Sequence, residues 1–300
     1  MTDMNPTETR PVSSGNESQL ADYNARLIAA GLQRHAAALT ALARPSVRLT
    51  PIASEDADLP LGTSKLGGQP DLPAATAWPS LRTTPLAFVA QINLAETQPF
   101  DTASMLPVDG LLSFFYAAAG QQVWGYDPAD AGAWAVLYSP AGQPLIRRNQ
   151  PGRLPEHVRF AAMRLTRRCE LTFPGWDSLD AERVGMTRDE FDAYADLCGH
   201  GEQGPIHRLL GRPEPIQNDM QMECQLVTHG IYCGDETDEE DPRAAGLWAG
   251  AADWRLLLQI DSEKDIGMMW GDAGRLYFWM TEQALADRDW DRAWLVLQCS

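Results

Sequence analysis

The sequence predicts an α+β fold, internally duplicated, with mainly antiparallel sheets in two related halves and a few helices. Three observations lead there. Short apolar segments alternate with polar residues and are punctuated by glycine and proline, as in half-covered antiparallel strands. Four such segments recur in the same order later in the chain. Helical periodicity is confined to a few stretches.

Residues 1–19 are nearly all Thr, Ser, Asn, Glu, Pro and Gly, too poor in apolar side chains to offset the entropy of ordering them, and are expected to form a disordered polar tail. Residues 20–45 are expected to form one N-terminal helix. Leu20, Leu27, Ile28, Leu39 and Leu42 fit one apolar face, and Pro45 would stop the helix. Gly31 weakens it by about 1 kcal/mol relative to alanine. Residues 46–300 then make one domain of two repeats, about 46–160 and 161–300.

The repeat rests on four pairs of blocks. Lys65-Leu66-Gly67-Gly68-Gln69-Pro70 matches Arg208-Leu209-Leu210-Gly211-Arg212-Pro213, and Phe88-Val89-Ala90-Gln91-Ile92-Asn93 matches Leu256-Leu257-Leu258-Gln259-Ile260-Asp261. Gly110–Phe115 matches Gly274–Trp279, and Ala133–Leu137 matches Ala293–Leu297. Their offsets drift from 143 to 168, 164 and 160, which places insertions and deletions in loops, where extra length costs little. Within the second block Leu86, Phe88, Ala90, Ile92 and Leu94 alternate with polar or smaller residues, predicting one apolar face; Trp254, Leu256, Leu258 and Ile260 do the same. Thr187-Arg188-Asp189-Glu190 is a capping box ahead of Phe191, Tyr194 and Leu197, and a second short helix is expected from Thr281 through Ala284 and Leu285.

The charge balance excludes some functions. With 24 basic against 41 acidic side chains the net charge is −17, so a phosphate backbone or an anionic leaflet is repelled and neither nucleic acid nor membrane is an expected partner. A basic protein partner is attracted by the same field. Five scattered cysteines do not form a secreted disulfide framework, and no run approaches the ~18 apolar residues of a membrane span. A cytoplasmic location is the expectation.

The blocks also resemble a known family. Ser64-Lys65-Leu66-Gly67-Gly68 with Pro70, Leu72-Pro73 and Trp78-Pro79 is similar to the signature of the YwqG-like family, DUF1963. So are Gln91-Ile92-Asn93-Leu94, Leu106-Pro107 before Gly110, His207–Gly211, Ile216–Met220 and Met269–Gly274. The resemblance covers roughly residues 46–299 and implies a duplicated α+β fold with no catalytic residues to carry over. It also implies that some members are immunity proteins beside secreted antibacterial toxins. The polar tail and an acidic insertion are departures from the family.

That insertion, Asp235-Glu236-Thr237-Asp238-Glu239-Glu240-Asp241, puts six carboxylates in seven positions. Asp235, Glu236, Asp238, Glu239, Glu240 and Asp241 are either a docking surface for a basic partner or a solvated, self-repelling loop. Cys224, His229 and Cys233 have the chemistry of zinc ligands but an irregular spacing and no fourth ligand nearby, so no metal is expected. Gln91, His207, Gln259 and Asp272 are candidates for a groove site between the repeats. Each also has a structural reading: Gln91 and Gln259 as strand amides tied to backbone, His207 as a turn residue whose counterpart is Ser64, and Asp272 in the tight turn Trp270–Gly274. Nucleophile-elbow, zinc-protease and phosphate-loop motifs are missing, so no catalytic residue and no cofactor is assigned.

The sequence therefore predicts an acidic, non-enzymatic binding protein, an immunity protein that binds and neutralises an antibacterial toxin such as a nuclease. The alternative is an enzyme or small-ligand binder with its site in the groove between the repeats.

Overall fold

The computed structural model describes residues 13–199, 204–234 and 241–300. The chain runs through α1 (Ser13–Ala29), α2 (Ala36–Ala41), β1 (Arg44–Ala53), β2 (Lys65–Leu66), β3 (Asp71–Pro73), β4 (Ser80–Leu81), β5 (Thr84–Pro85) and β6 (Ala87–Asn93). Next come α3 (Leu94–Thr97), β7 (Leu111–Tyr116), β8 (Trp134–Ser139), β9 (Leu145–Arg147), β10 (Met163–Thr172), α4 (Leu179–Glu182) and α5 (Arg188–Cys198). It closes with β11 (His207–Leu209), α6 (Gln221–Val227), β12 (Trp254–Asp261), β13 (Arg275–Thr281), α7 (Glu282–Asp287) and β14 (Trp294–Gln298).

The class is α+β, dominated by one ten-stranded antiparallel sheet of order β14-β13-β12-β11-β1-β10-β2-β6-β7-β8. The long strands β1 and β10 form its centre, paired from Arg44↔Thr172 to Ala53↔Met163. Two arms extend from them, one built from β2, β6, β7 and β8 and the other from β11, β12, β13 and β14. The four sequence blocks fall on corresponding positions of the arms. Register slips between Phe88 and Ala90 in one arm and between Leu256 and Leu258 in the other, so Val89 and Leu257 are bulged. Their carbonyls accept from Gly67 N (2.9 Å) and Leu210 N (3.1 Å), both residues in left-handed backbone.

These bulges alter the expected alternation. Phe88 faces an outer cluster with Leu72, Leu86 and Phe115, whereas Ala90 and Ile92 face the main core, because one extra residue reverses the side-chain sense. The main core lies between the two arms, with Phe114 and Phe278 edge to face at 5.1 Å. The sheet curls until its last strands confront each other: Trp134 of β8 and Trp294 of β14 meet edge to face at 4.7 Å.

The N-terminal expectation is corrected. The helix over 20–45 is two helices, and the first reaches back to Ser13, within the segment read as tail; residues 1–12 of that expected tail lie outside the described residues. Tertiary partners hold this polar turn: Gln19 accepts from Leu171 N at 2.7 Å, Tyr23 stacks on Phe173, and the Tyr23 and Tyr194 hydroxyls are 2.8 Å apart. Gly31, at φ +80°, breaks the helix, and Ile28 is exposed rather than buried. Pro45 lies inside β1, opposite Leu171, at a point where β11 does not pair with β1, so its missing N–H disrupts no ladder on that side. The capping box forms as read: Thr187 accepts from Glu190 N, and Glu190 accepts from Thr187 N.

Candidate functional site

The four groove candidates are not gathered into one site. Gln91 and Gln259 are both fully buried, and the strands β2, β10, β1 and β11 separate their parent strands. Gln91 accepts from Asp71 N (2.9 Å) and donates to Thr63 O and the Asp71 carboxylate (2.8 Å each). Gln259 accepts from Glu214 N (2.9 Å) and donates to Ile206 O (2.8 Å). Both amides are spent on the fold. Asp272 is exposed in its turn, where its carbonyl accepts from Ser300.

His207 is fully buried, and its Nδ1 accepts from Asp261 N at 3.2 Å. That contact places the ring proton on Nε2, which lies 3.6 Å from Glu263 and holds that carboxyl below its usual range. Ser64 does the same work in the other arm, accepting from Asn93 N at 2.8 Å and contacting Glu96 at 3.0 Å.

Buried ion pairs brace both arms. Lys65, fully buried, donates to Asp56 at 2.6 Å and to Gln69 O at 2.7 Å; burial lowers its pKa. Arg208 likewise donates to Arg212 O at 2.8 Å and approaches Glu170 at 3.1 Å. Burial pushes the Asp71 carboxyl up, but Arg147, Gln91, Lys65 and the Gly62 N–H together hold it below the ordinary range.

Of the acidic run, Asp235, Glu236, Asp238, Glu239 and Glu240 lie outside the described residues. Asp241 is described and forms a bidentate pair with Arg243. Cys224 is buried, His229 is exposed with Nδ1 donating to Gln225 O at 2.6 Å, and Cys233 contacts the Ile231 carbonyl. No group of three metal-ligating side chains occurs among the described residues.

One concave feature is the seam where the end strands β8 and β14 do not pair. A cavity of about 600 Å³ is walled by Trp134, Trp254, Trp290 and Trp294, with His229 and Asp291 also lining it. A second cavity of about 450 Å³ continues along β8 from Val136 to Ser139, and Val136, Trp290 and Asp291 line both. Three of the four indole N–H groups are satisfied, by Ala293 O, Gln225 Oε1 and Gly125 O. That of Trp290 is buried without an acceptor. These indoles are not among the polar residues that stand out within strands in the sequence. The available signal was the fourth block, the last strand of each arm, because the last strand of a meander is an edge.

Fold and site together define an α+β protein on one curled antiparallel sheet, with a tryptophan-walled trough at its unclosed seam. The chain belongs to the family described as a domain of unknown function, DUF1963, whose model matches residues 64–299. None of the curated proteins matches it. No helix among the described residues is long and apolar enough to cross a membrane.

Proposed function

We propose that this is a non-enzymatic binding protein that captures a basic protein partner on its acidic surface, and that it acts as a cytoplasmic immunity protein against a toxin of the nuclease type. The location of the charge carries this reading. Among the described residues the buried cations are Arg48, Lys65, Arg167, Arg208 and Arg212, and the buried carboxylates are Asp71, Asp101, Glu170 and Asp261. The described interior is thus close to neutral, so the acidic excess behind the net −17 does not arise there, and that charge steers a basic protein and repels competing nucleic acid. An acidic protein seated in a nuclease's phosphate groove blocks substrate without chemistry of its own. The acidic run 235–241 is the assigned contact.

We infer too that the two arms descend from one duplicated unit. The matching bulges, the matching bonds of Gln91 and Gln259, and the four blocks in one order support that reading.

Co-expression with the product of the adjacent reading frame tests the function. The expected result is relief of that product's toxicity and a co-purifying complex whose association slows steeply with added salt. Absence of both complex and relief overturns it.

A further inference from the structure

We propose that the open edge of β8 is a docking strip where an extended, basic segment of the protein partner adds to the sheet as a further strand. This assignment rests on the binding function proposed above and gives it a second contact in addition to the acidic run. Ala117 N donates to Ala133 O at 2.8 Å, and the register continues through Phe115↔Ala135, Ser113↔Leu137 and Leu111↔Ser139. Antiparallel ladders alternate bonded and non-bonded pairs. The intervening residues Trp134, Val136 and Tyr138 therefore turn their N–H and C=O groups away from β7. No described residue pairs with these groups.

The opposite edge is treated differently. Leu297 N on β14 donates to Trp124 O at 2.8 Å, and Trp294 Nε1 donates to Gly125 O at 2.8 Å. Gly125 lies so close that a Cβ there would sit 1.9 Å from Leu295 O. A loop of the first arm thus seals β14. Proteins commonly cover or blunt such edges, yet β8 faces a trough along its whole length.

The trough matches an incoming strand in chemistry as well as position. A segment added beside β8 places a carbonyl or amide every second residue against the free groups, which gives affinity from main-chain bonds. Trp290, on the facing wall, packs its ring against Tyr138 of β8 with centroids 6.1 Å apart and so offers the segment an apolar surface rather than a hydrogen bond. The wall itself balances two cations, Arg288 and Arg292, against two carboxylates, Asp289 and Asp291, so the preference for a basic segment comes from the field of the whole protein rather than from the wall.

The test uses the full chain and a synthetic peptide of alternating lysine and valine, followed by amide hydrogen exchange and titration. The peptide is expected to protect the amides of Trp134, Val136 and Tyr138. Val136→Pro removes the central free N–H at an edge position that tolerates proline. Ala131→Arg, at an exposed residue lining the trough, obstructs its mouth without altering β8 and keeps the test decisive if the proline variant misfolds. Each folded variant is expected to weaken both the peptide and the toxin by at least about tenfold. If the wild type captures its toxin while both variants bind equally well, or the three amides stay unprotected, the strip is wrong and the acidic binding function stands. If the wild type binds neither peptide nor toxin, both fail.

Discussion

Gln91 and Gln259 do the same job in opposite arms of the sheet. Each accepts a backbone N–H, from Asp71 or Glu214, and donates to a backbone carbonyl, of Thr63 or Ile206, at 2.8 to 2.9 Å. Each also faces a buried cation across the ladder, Lys65↔Gln91 and Arg208↔Gln259. An amide in an otherwise apolar strand is the means by which each arm ties down the loops beside it.

Gln91→Leu and Gln259→Leu each leave a backbone N–H and a backbone carbonyl unpaired, one buried and the other partly so, and the cost per buried orphan is about 1–3 kcal/mol. Both variants are expected to lose roughly 2–4 kcal/mol in urea denaturation. Asp272→Ala, exposed in its turn, is expected to stay within about 0.5 kcal/mol of wild type. A larger loss at Asp272 than at the glutamines would contradict the assignment of structural roles.

Lys65 places a fully buried ammonium 2.6 Å from Asp56 and 2.7 Å from Gln69 O. Lys65→Met keeps much of the volume but strips both acceptors of their partner, and breaking one side of a buried pair costs about 3–5 kcal/mol. Calorimetry is expected to show a fall in Tm of more than about 5 °C. An unchanged Tm would mean that solvent replaces the ammonium without penalty.

How far these features were legible in the sequence depended on whether their causes are local. The capping box at Thr187 and Glu190, the turn Trp270–Gly274 and the strand blocks around Gln91 and Gln259 follow from adjacent residues. The start of α1 does not, because its polar turn is held by Leu171 and Phe173, far away in the chain. Nor does the reversal at Val89, since a bulge depends on the partner strand. The seam was hidden for a similar reason: which strand ends up without a neighbour is decided by how the sheet curls, and only then do Trp134 and Trp290 become walls.

Neutralising the acidic run by Asp→Asn and Glu→Gln at Asp235, Glu236, Asp238, Glu239, Glu240 and Asp241 is expected to slow association with the basic partner about tenfold at low salt. It should change the dissociation rate far less, because long-range charge acts mainly on encounter. Stopped-flow or surface-based kinetics at two salt concentrations would measure this. Unaltered association at low salt would reduce the run to a solubilising loop.

Asp219 is expected to make the stability of the fold depend on pH. It accepts from Gln221 N at 2.7 Å and Leu179 N at 3.3 Å, tying α6 to α4, yet burial outweighs these bonds and pushes its carboxyl up to about 6. The unfolded value is about 4. The folded state therefore holds the proton more tightly, and the stabilisation is complete below about pH 4 and lost as pH rises through about 6. Asp219→Asn keeps an acceptor for Gln221 N and removes the charge, forfeiting the longer Leu179 contact. Relative to wild type, the variant is expected to gain roughly 1–2 kcal/mol between pH 4.5 and pH 8. Urea midpoints across that range check it, and parallel profiles for the two proteins would show that Asp219 ionises in the fold as freely as in the unfolded chain.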